Sequence, residues 1–217
     1  MKTKAVIFDL DGTLLDSLAD IAESMNLVLS GMGFATHAVS AYRQFVGDGV
    51  SILARRALPA DHGDEATVGS AVASMREIYR GRLTNKTRPY EGIPDLLDRL
   101  EERGVRMAVL SNKPHDLTVS LVDSLLGAWP FDPVLGERPE VSKKPDPAGA
   151  LEIASRLGLE ASGILYVGDT PIDIATARAA GMPSVGAAWG FRTDSELAAA
   201  GATAIARAPV DVLQFVQ

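Results

Sequence analysis

The stretch Ala5-Val6-Ile7-Phe8-Asp9-Leu10-Asp11-Gly12-Thr13-Leu14 decides the fold. Its apolar, β-branched and aromatic beginning, followed by a glycine turn, is typical of a central strand in a parallel sheet that is covered on both faces. Ligands bind beyond the carboxyl ends of such strands, so Asp9 and Asp11 are expected at a cleft, with Gly12 allowing the sharp turn behind them. Because residues two apart on a strand point the same way, the two carboxylates are expected to share one site. Two negative charges at such a short distance repel each other, which favours a bound cation such as Mg²⁺ between them. The alternative is a plain turn at the end of the strand.

Three further segments carry polar residues next to apolar runs or in a loop. Residues 105–110 precede Ser111-Asn112-Lys113-Pro114, residues 164–167 precede Gly168-Asp169-Thr170-Pro171-Ile172-Asp173, and Ser142-Lys143-Lys144-Pro145-Asp146-Pro147 lies between them. Carboxylates suit a metal ion, whereas a hydroxyl, a lysine and backbone N–H groups suit phosphate oxygens. Taken singly, each segment is also explained as a turn, a helix cap or a solvated loop. Together they predict a site that holds a phosphate against a divalent cation.

These four segments, in this order, resemble the motifs of the haloacid dehalogenase superfamily, most of whose members are Mg²⁺-dependent phosphatases, and the resemblance covers nearly the whole chain. It implies that Asp9 is the nucleophile, forming an aspartyl phosphate, and that Asp11 is the general acid and base. It also implies that Thr13 and Ser111 are catalytic residues that orient or bind the phosphoryl group and that Lys144 is a catalytic residue that neutralises its charge. Substrate binding is implied for Gly12, Ser111, Asn112 and Lys144. The implied metal site contains Mg²⁺, bound by Asp9, Asp169 and the main-chain oxygen of Asp11 and supported by Asp173.

The pattern along the chain divides into two parts. Residues 1–15 and 85–217 alternate short β-rich runs with helical stretches, which predicts an α/β catalytic core with a Rossmann-like parallel sheet. Residues 16–84 lack β-rich runs, and apolar residues at helical spacing predict helices near 21–29, 52–58 and 68–79. We therefore predict a small all-helical cap domain inserted after the first strand, which would exclude water and select the substrate.

Further core elements follow from the same patterns. Helices are predicted from Ile93 towards Gly104, from Leu151 to Gly158, and from Pro171 to Ala180. Late strands are predicted at 184–187 and at 204–206.

Composition indicates the class of protein but not its substrate. The 217 residues suffice for one or two domains, and a net charge of -7 argues against a nucleic acid or a membrane as the main partner. The sequence contains no cysteine, which excludes disulfides and thiolate metal sites. Neither a signal peptide nor an apolar span of membrane length is evident, so we expect a cytoplasmic protein, monomeric or homodimeric, acting on a small-molecule phosphate ester.

The resemblance leaves several activities to weigh. Asp11 argues against the dehalogenating members, the absence of lysine from residues 16–83 argues against the phosphonate-cleaving members, and Ile21 replaces the cap histidine of the β-phosphoglucomutase-like members. Hydrolysis of a small phosphate monoester remains. The alternatives are a pyrophosphatase, a broad-specificity sugar or nucleotide phosphatase, and a non-catalytic binding module on this fold.

Within the superfamily, the chain most resembles the bacterial phosphoglycolate phosphatases, which makes 2-phosphoglycolate the expected substrate. The stretches that carry this likeness are Asp16-Ser17-Leu18-Ala19-Asp20-Ile21, Phe45-Val46-Gly47-Asp48-Gly49, Arg56-Ala57-Leu58, Asn112-Lys113-Pro114, Lys143-Lys144-Pro145 and Gly181-Met182-Pro183-Ser184-Val185-Gly186. Asp48 departs from the usual Asn of the cap loop.

Residue type and spacing also give expected roles for several arginines, histidines and tryptophans. A cap arginine is a candidate to pair with the substrate carboxylate, with Arg56 as first choice and Arg43 and Arg55 as further candidates, and a solvated helix face is the alternative for each. The remaining assignments are negative: His37, His62 and His115 lack metal-ligand spacing, and Trp129 and Trp189 are expected to be packing groups.

Overall fold

The first apolar run forms the central strand of the sheet, as predicted. In the computed structural model, which describes residues 3–216, β1 (Ala5–Phe8) is fully buried and pairs in parallel with a strand on each side. The other strands, in chain order, are β2 (Leu15–Asp16), β3 (Arg88–Pro89), β4 (Arg106–Pro114), β5 (Phe131–Glu137), β6 (Ile164–Gly168), β7 (Ser184–Ala187) and β8 (Ala204–Ala206). Six of them form one parallel sheet in the order β5-β4-β1-β6-β7-β8. Asp9 therefore emerges beside the end of β6 and beside the part of β4 that follows Val109.

Helices cover this sheet and fill the segment after β1. Their bounds are α1 (Leu18–Gly31), α2 (Tyr42–Phe45), α3 (Val50–Ala57), α4 (Glu65–Arg80), α5 (Ile93–Glu102), α6 (His115–Leu125), α7 (Ala148–Leu157), α8 (Pro171–Ala179) and α9 (Asp194–Ala199). The predicted helical regions all coincide with helices of this set. None of the helices in residues 3–216 combines the length and the apolar character that crossing a membrane would require.

The alternation of β1 divides the core between the two faces of the sheet. Val6 and Phe8 belong to one buried apolar cluster, whereas Ala5 and Ile7 belong to another, because successive side chains of a strand point to opposite faces. A third cluster is formed mainly by α1, α3 and α4. We call residues 18–80, which contain α1 to α4, the helical insert.

The chain enters and leaves the helical insert side by side. β2 pairs antiparallel with β3, so the outgoing and returning segments form a two-stranded ribbon. Asp20, fully buried at the start of α1, accepts hydrogen bonds from the backbone N–H groups of Lys86 and Thr87 and from the Thr87 hydroxyl, at 2.7 to 2.8 Å. This buried carboxylate ties the two crossings together. The division into domains at residues 15 and 85 stays a prediction.

Three features of the sheet were not predicted. β5 reads Phe-Asp-Pro-Val-Leu-Gly-Glu, and its proline and glycine interrupt the apolar run, which a strand at the edge of a sheet tolerates. β2 and β3 have two residues each, too few for any periodic signal. β4 continues to Pro114, so Ser111 and Asn112 lie within the strand instead of in a turn after it.

Candidate active site

Three buried aspartates meet where the central strands end. Asp9 follows β1, Asp169 follows β6, and Asp173 lies in the first turn of α8. Because β1 and β6 are neighbours, with the Asp9 N–H donating to the Val167 carbonyl at 2.9 Å, their ends bring these acids together. One carboxylate oxygen of each lies within 4.8 Å of the others. We call Asp9, Asp169 and Asp173 the acid cluster.

Glycines allow the backbone to pack directly on these carboxylates. A Cβ added at Gly12, which has a φ of +92°, would lie 2.4 Å from an Asp169 oxygen, and one at Gly190 would lie 2.3 Å from the Asp169 Cβ. A Cβ at Gly168 would similarly lie 2.3 Å from the Asp173 Cβ. All three contacts are shorter than non-bonded carbon or oxygen atoms permit, so these positions require glycine.

Lys144 contacts two members of the acid cluster. Its ammonium donates to Asp9 Oδ1 at 2.8 Å and to Asp173 Oδ1 at 2.6 Å, and its side chain is 3% exposed. Burial alone would lower the pKa of Lys144, but the charges of Asp173 and Asp9 raise it well above its usual value. The lysine is therefore a permanent cation, as charge neutralisation at the site requires.

A single ammonium does not offset the charge of three buried carboxylates. Burial is the largest cause that raises the pKa of Asp9 to about 7, despite the opposing charge of Lys144. Burial, and then the charges of Asp9 and Asp173, hold the pKa of Asp169 well above its usual range. A set of buried oxygen donors that carries excess negative charge fits a hard divalent cation.

Two hydroxyls complete the surroundings of this cluster. Thr13 donates to Asp169 Oδ1 at 3.1 Å, and Thr170 donates to Asp173 Oδ2 at 2.7 Å. The backbone N–H of Phe191 donates to Asp169 Oδ2 at 2.8 Å. In this structure the Thr13 hydroxyl contacts an acid, and the phosphoryl role that the resemblance implies for Thr13 stays a prediction.

A cavity lies between the helical insert and the ends of β1 and β4. The core contributes polar groups to its wall, namely Asp9, Asp11, Ser111, Asn112 and Lys113. The insert contributes mainly apolar groups, with Ile21, Val46, Val50, Leu53 and Met75 accompanied by Arg76 and Tyr79. The cavity, as we name this space, therefore has a polar end against the sheet and an apolar wall opposite.

The carboxylate of Asp11 lies outside the acid cluster. Its Oδ1 accepts hydrogen bonds from Ser17 Oγ at 2.6 Å and from Lys113 Nζ at 2.8 Å. β1 ends at Phe8, so the strand alternation that led us to expect a shared site for Asp9 and Asp11 does not extend to Asp11. Asp9 and Asp11 nevertheless line the same cavity, while the main-chain metal contact of Asp11 and its role as general acid and base stay predictions.

Asn112 connects three segments around the cavity. Its amide group donates to the carbonyls of Lys144 and Gly47, at 3.0 and 3.1 Å, and accepts from the Lys144 N–H at 2.9 Å. The residue lines the cavity, but its side chain is engaged by backbone groups that hold Lys144 and the insert loop in place. Ser111 also lines the cavity, and its Oγ accepts from the Lys113 N–H at 3.2 Å.

Residues 6–187 match the family model for haloacid dehalogenase-like hydrolases. The chain belongs to this family. It is 36% identical over 208 residues to a phosphoglycolate phosphatase of Rhodospirillum rubrum, covering 93% of this chain and 86% of that protein. It is 35% identical over 192 residues to a phosphoglycolate phosphatase of Pseudomonas fluorescens, covering 87% and 70%.

A solved structure agrees over the whole chain. A predicted phosphoglycolate phosphatase from Haemophilus somnus 129PT superimposes with a TM-score of 0.91 and 28% identity, covering 100% of this chain and 99% of that one. These findings confirm the predicted family, the α/β fold class and a phosphoric monoester hydrolase.

The three arginines proposed for this haloacid dehalogenase-like hydrolase do not line the cavity. Arg56 pairs with Asp48 at 2.6 Å, Arg55 pairs with Glu65 at 2.7 Å, and Arg43 donates to the Gly190 carbonyl at 2.9 Å. Sequence spacing did not single out Arg76, although it lies one turn before Tyr79 on α4 and does line the cavity.

The histidines and tryptophans named in the sequence analysis make other contacts. Among residues 3–216, the metal-competent cluster contains aspartates and no histidine. His37 bonds to the Ala57 carbonyl, and His115 accepts from the Gly136 N–H. The indoles of Trp129 and Trp189 pack against the core.

Proposed function

We propose that this protein is a Mg²⁺-dependent phosphatase that hydrolyses 2-phosphoglycolate through an aspartyl phosphate on Asp9. The observation that carries the proposal is that Asp9 belongs to both the acid cluster and the cavity wall. A nucleophile of this kind must contact the substrate while its own charge is masked, and Asp9 meets both requirements. When bound by Asp9, Asp169 and Asp173, Mg²⁺ would supply charge neutralisation for the nucleophile and the phosphoryl oxygens.

The side chains divide the reaction into two displacements. A carboxylate oxygen of Asp9 forms a bond to phosphorus as the bond to the ester oxygen breaks, and Asp11 gives its proton to that leaving oxygen. Asp11 then removes a proton from water, whose oxygen forms a bond to phosphorus as the Asp9–phosphorus bond breaks. Orthophosphate leaves, and both aspartates return to their starting forms. Lys144, bonded to Asp9 Oδ1, fixes the nucleophile in position throughout.

The choice of 2-phosphoglycolate is supported by two separate observations. Relatives at 35% and 36% identity are named for this activity. In addition, the cavity wall contributed by the insert is apolar except near Arg76 and Tyr79, so it offers a small acidic substrate one cation and a sugar few hydrogen-bonding groups.

A phosphate-release screen tests this substrate assignment. With Mg²⁺ present, we expect kcat/KM for 2-phosphoglycolate to exceed that for glucose 6-phosphate, pyrophosphate and p-nitrophenyl phosphate by about tenfold or more. A larger substrate would hold the insert away from the core and admit water. Preference for pyrophosphate or a hexose phosphate would replace the proposed substrate within the same reaction class. No hydrolysis of any ester by folded protein would favour the binding-module alternative.

We expect Arg76 to bind the substrate carboxylate. It is exposed and makes no ion pair with any of residues 3–216, so its guanidinium is available to an incoming anion. For Arg76→Met, which keeps the apolar stem, we expect kcat/KM for 2-phosphoglycolate to fall about tenfold. The loss for p-nitrophenyl phosphate, which lacks a carboxylate, should be less than about threefold.

Arg80 provides a matched control for this change. It lies one turn further along α4 and pairs with Asp116 at the surface. Arg80→Met should leave the ratio of kcat/KM for the two substrates unchanged. Equal losses on both substrates in Arg76→Met would exclude Arg76 as the group that recognises the carboxylate.

A further inference from the structure

Lys113 is a second buried lysine at the polar end of the cavity. Its side chain is 6% exposed, and its ammonium donates to Asp11 Oδ1 and to the hydroxyl of Tyr79, each at 2.8 Å. Lys144, by contrast, contacts the acid cluster and is not among the described residues that line the cavity. Of these two lysines, therefore, Lys113 is the one that lines the space that a substrate would enter.

Tyr79 holds Lys113 from the helical insert. The ammonium lies 4.6 Å from the centroid of the Tyr79 ring and also bonds to its oxygen, so ring and hydroxyl both favour one position. Burial raises the pKa of Tyr79 to about 12, which leaves a neutral phenol whose oxygen accepts this bond. Tyr79 itself is buried, 3% exposed, in the cluster formed by the insert.

The Lys113 ammonium has one N–H donor that is not used by Asp11 or Tyr79. Lysine carries three N–H donors in a tetrahedral arrangement, and Asp11 and Tyr79 use two of them. Burial alone would lower the pKa of Lys113, but the charges of Asp11 and Tyr79 and their hydrogen bonds raise it above its usual value, so the group stays charged. A buried charged donor on a cavity wall gains a strong bond when an anionic oxygen arrives.

We propose that Lys113 binds an anionic oxygen of the phosphate ester and that Tyr79 is the positioning residue that aims it. This proposal rests on the proposed function for the identity of the ligand. It assigns to the insert a part in phosphate binding in addition to the selection of the leaving group. The hydrogen bond between Tyr79 and Lys113 thereby links the position of the insert to the polar end of the cavity.

Calorimetric titration with inorganic phosphate in the presence of Mg²⁺ tests this directly, because phosphate is the product and its binding needs no turnover. We expect Lys113→Met to weaken phosphate affinity by about tenfold or more, since a charged hydrogen bond is lost. Tyr79→Phe keeps the ring over the ammonium and removes only the oxygen, so a loss of about threefold to fivefold is expected. For the esters, KM should rise by similar factors.

Two controls separate positioning from simple structural support. Tyr42 is fully buried in the same cluster and its hydroxyl donates to Asn26, away from the cavity. Tyr42→Phe should lower thermal stability about as much as Tyr79→Phe while leaving phosphate affinity unchanged. Lys4→Met removes an exposed lysine charge before the start of β1, at the opposite edge of the sheet, and should also leave affinity unchanged.

The affinities of the Lys113 and Tyr79 variants either support or overturn the inference. Unchanged phosphate affinity in both Lys113→Met and Tyr79→Phe would overturn the inference even if the parent protein hydrolyses esters. If Lys113→Met does not fold, because Asp11 loses its ion-pair partner, Tyr79→Phe alone decides, and an affinity equal to that of the parent and of Tyr42→Phe overturns the inference. Weakened phosphate binding in a protein that hydrolyses no ester would support the inference and refute the proposed function.

Discussion

Asp9→Asn is expected to reduce turnover by about a thousandfold or more while leaving the fold intact. An amide cannot attack phosphorus as an anionic nucleophile, and no other aspartate belongs to both the acid cluster and the described cavity wall. The amide oxygen can still accept the bond from Lys144, so the local packing is retained. Removing one of three mutually repelling charges should leave the metal-free protein at least as stable as the parent. Phosphate release under single-turnover conditions and thermal unfolding measure the two effects.

The control for Asp9→Asn is the same substitution at an exposed aspartate of the core. Asp123 lies on α6, away from both the acid cluster and the cavity lining, so Asp123→Asn should retain full activity. Turnover of folded Asp9→Asn within tenfold of the parent would exclude Asp9 as the nucleophile. The rate would then have to come from water activated directly at the site.

The acid cluster was predictable because its members lie at or shortly after the carboxyl ends of parallel strands. Asp9 and Asp169 each follow a short buried run, and parallel strands in one sheet end on the same side, so the sequence brings these acids to one edge. Asp173 lies four residues after Asp169, in the first turn of a helix that begins at Pro171. Local patterns therefore suffice to assemble the cluster.

The wall contributed by the insert was not predictable in the same way. Arg56 and Arg76 are both cap arginines near apolar helical residues, and which one reaches the cavity depends on how α3 and α4 pack against the sheet. The sequence placed no weight on Tyr79, because a tyrosine at helical spacing in an apolar stripe is ordinarily a packing residue. Its contact with Lys113 joins residues 34 positions apart, which periodicity does not report.

Lys113 and Lys144 illustrate the same limit for charged residues. Lys113 lies near the end of β4 and Lys144 in the loop before α7, and the resemblance assigned phosphate neutralisation to Lys144. In the structure Lys144 bonds to Asp9 and Asp173, whereas Lys113 bonds to Asp11 on the cavity wall. Sequence spacing identified the cations but did not determine which carboxylate each one contacts.

Removal of divalent metal is expected to abolish activity completely, and Mg²⁺ is expected to restore it. Without a cation, burial and mutual repulsion raise the pKa of Asp9 to about 7, so a large fraction of the nucleophile is protonated near neutral pH. Ca²⁺ should bind but inhibit, because it accepts six to eight oxygen ligands and favours bidentate carboxylates, which would occupy the oxygen of Asp9 that attacks. Full activity in excess chelator would eliminate the Mg²⁺ mechanism.

A binding measurement separates this requirement from effects on catalysis. At saturating Mg²⁺, about a hundred times its dissociation constant, the parent protein should gain about 2.7 kcal/mol in its free energy of unfolding. Asp169→Asn should lose most of that gain, because the acid cluster loses a buried ligand that Thr13 and the Phe191 N–H orient. Asp123→Asn should keep it. If Mg²⁺ stabilises Asp169→Asn as much as the parent, the metal binds somewhere other than the acid cluster, and the masking of Asp9 would need another source.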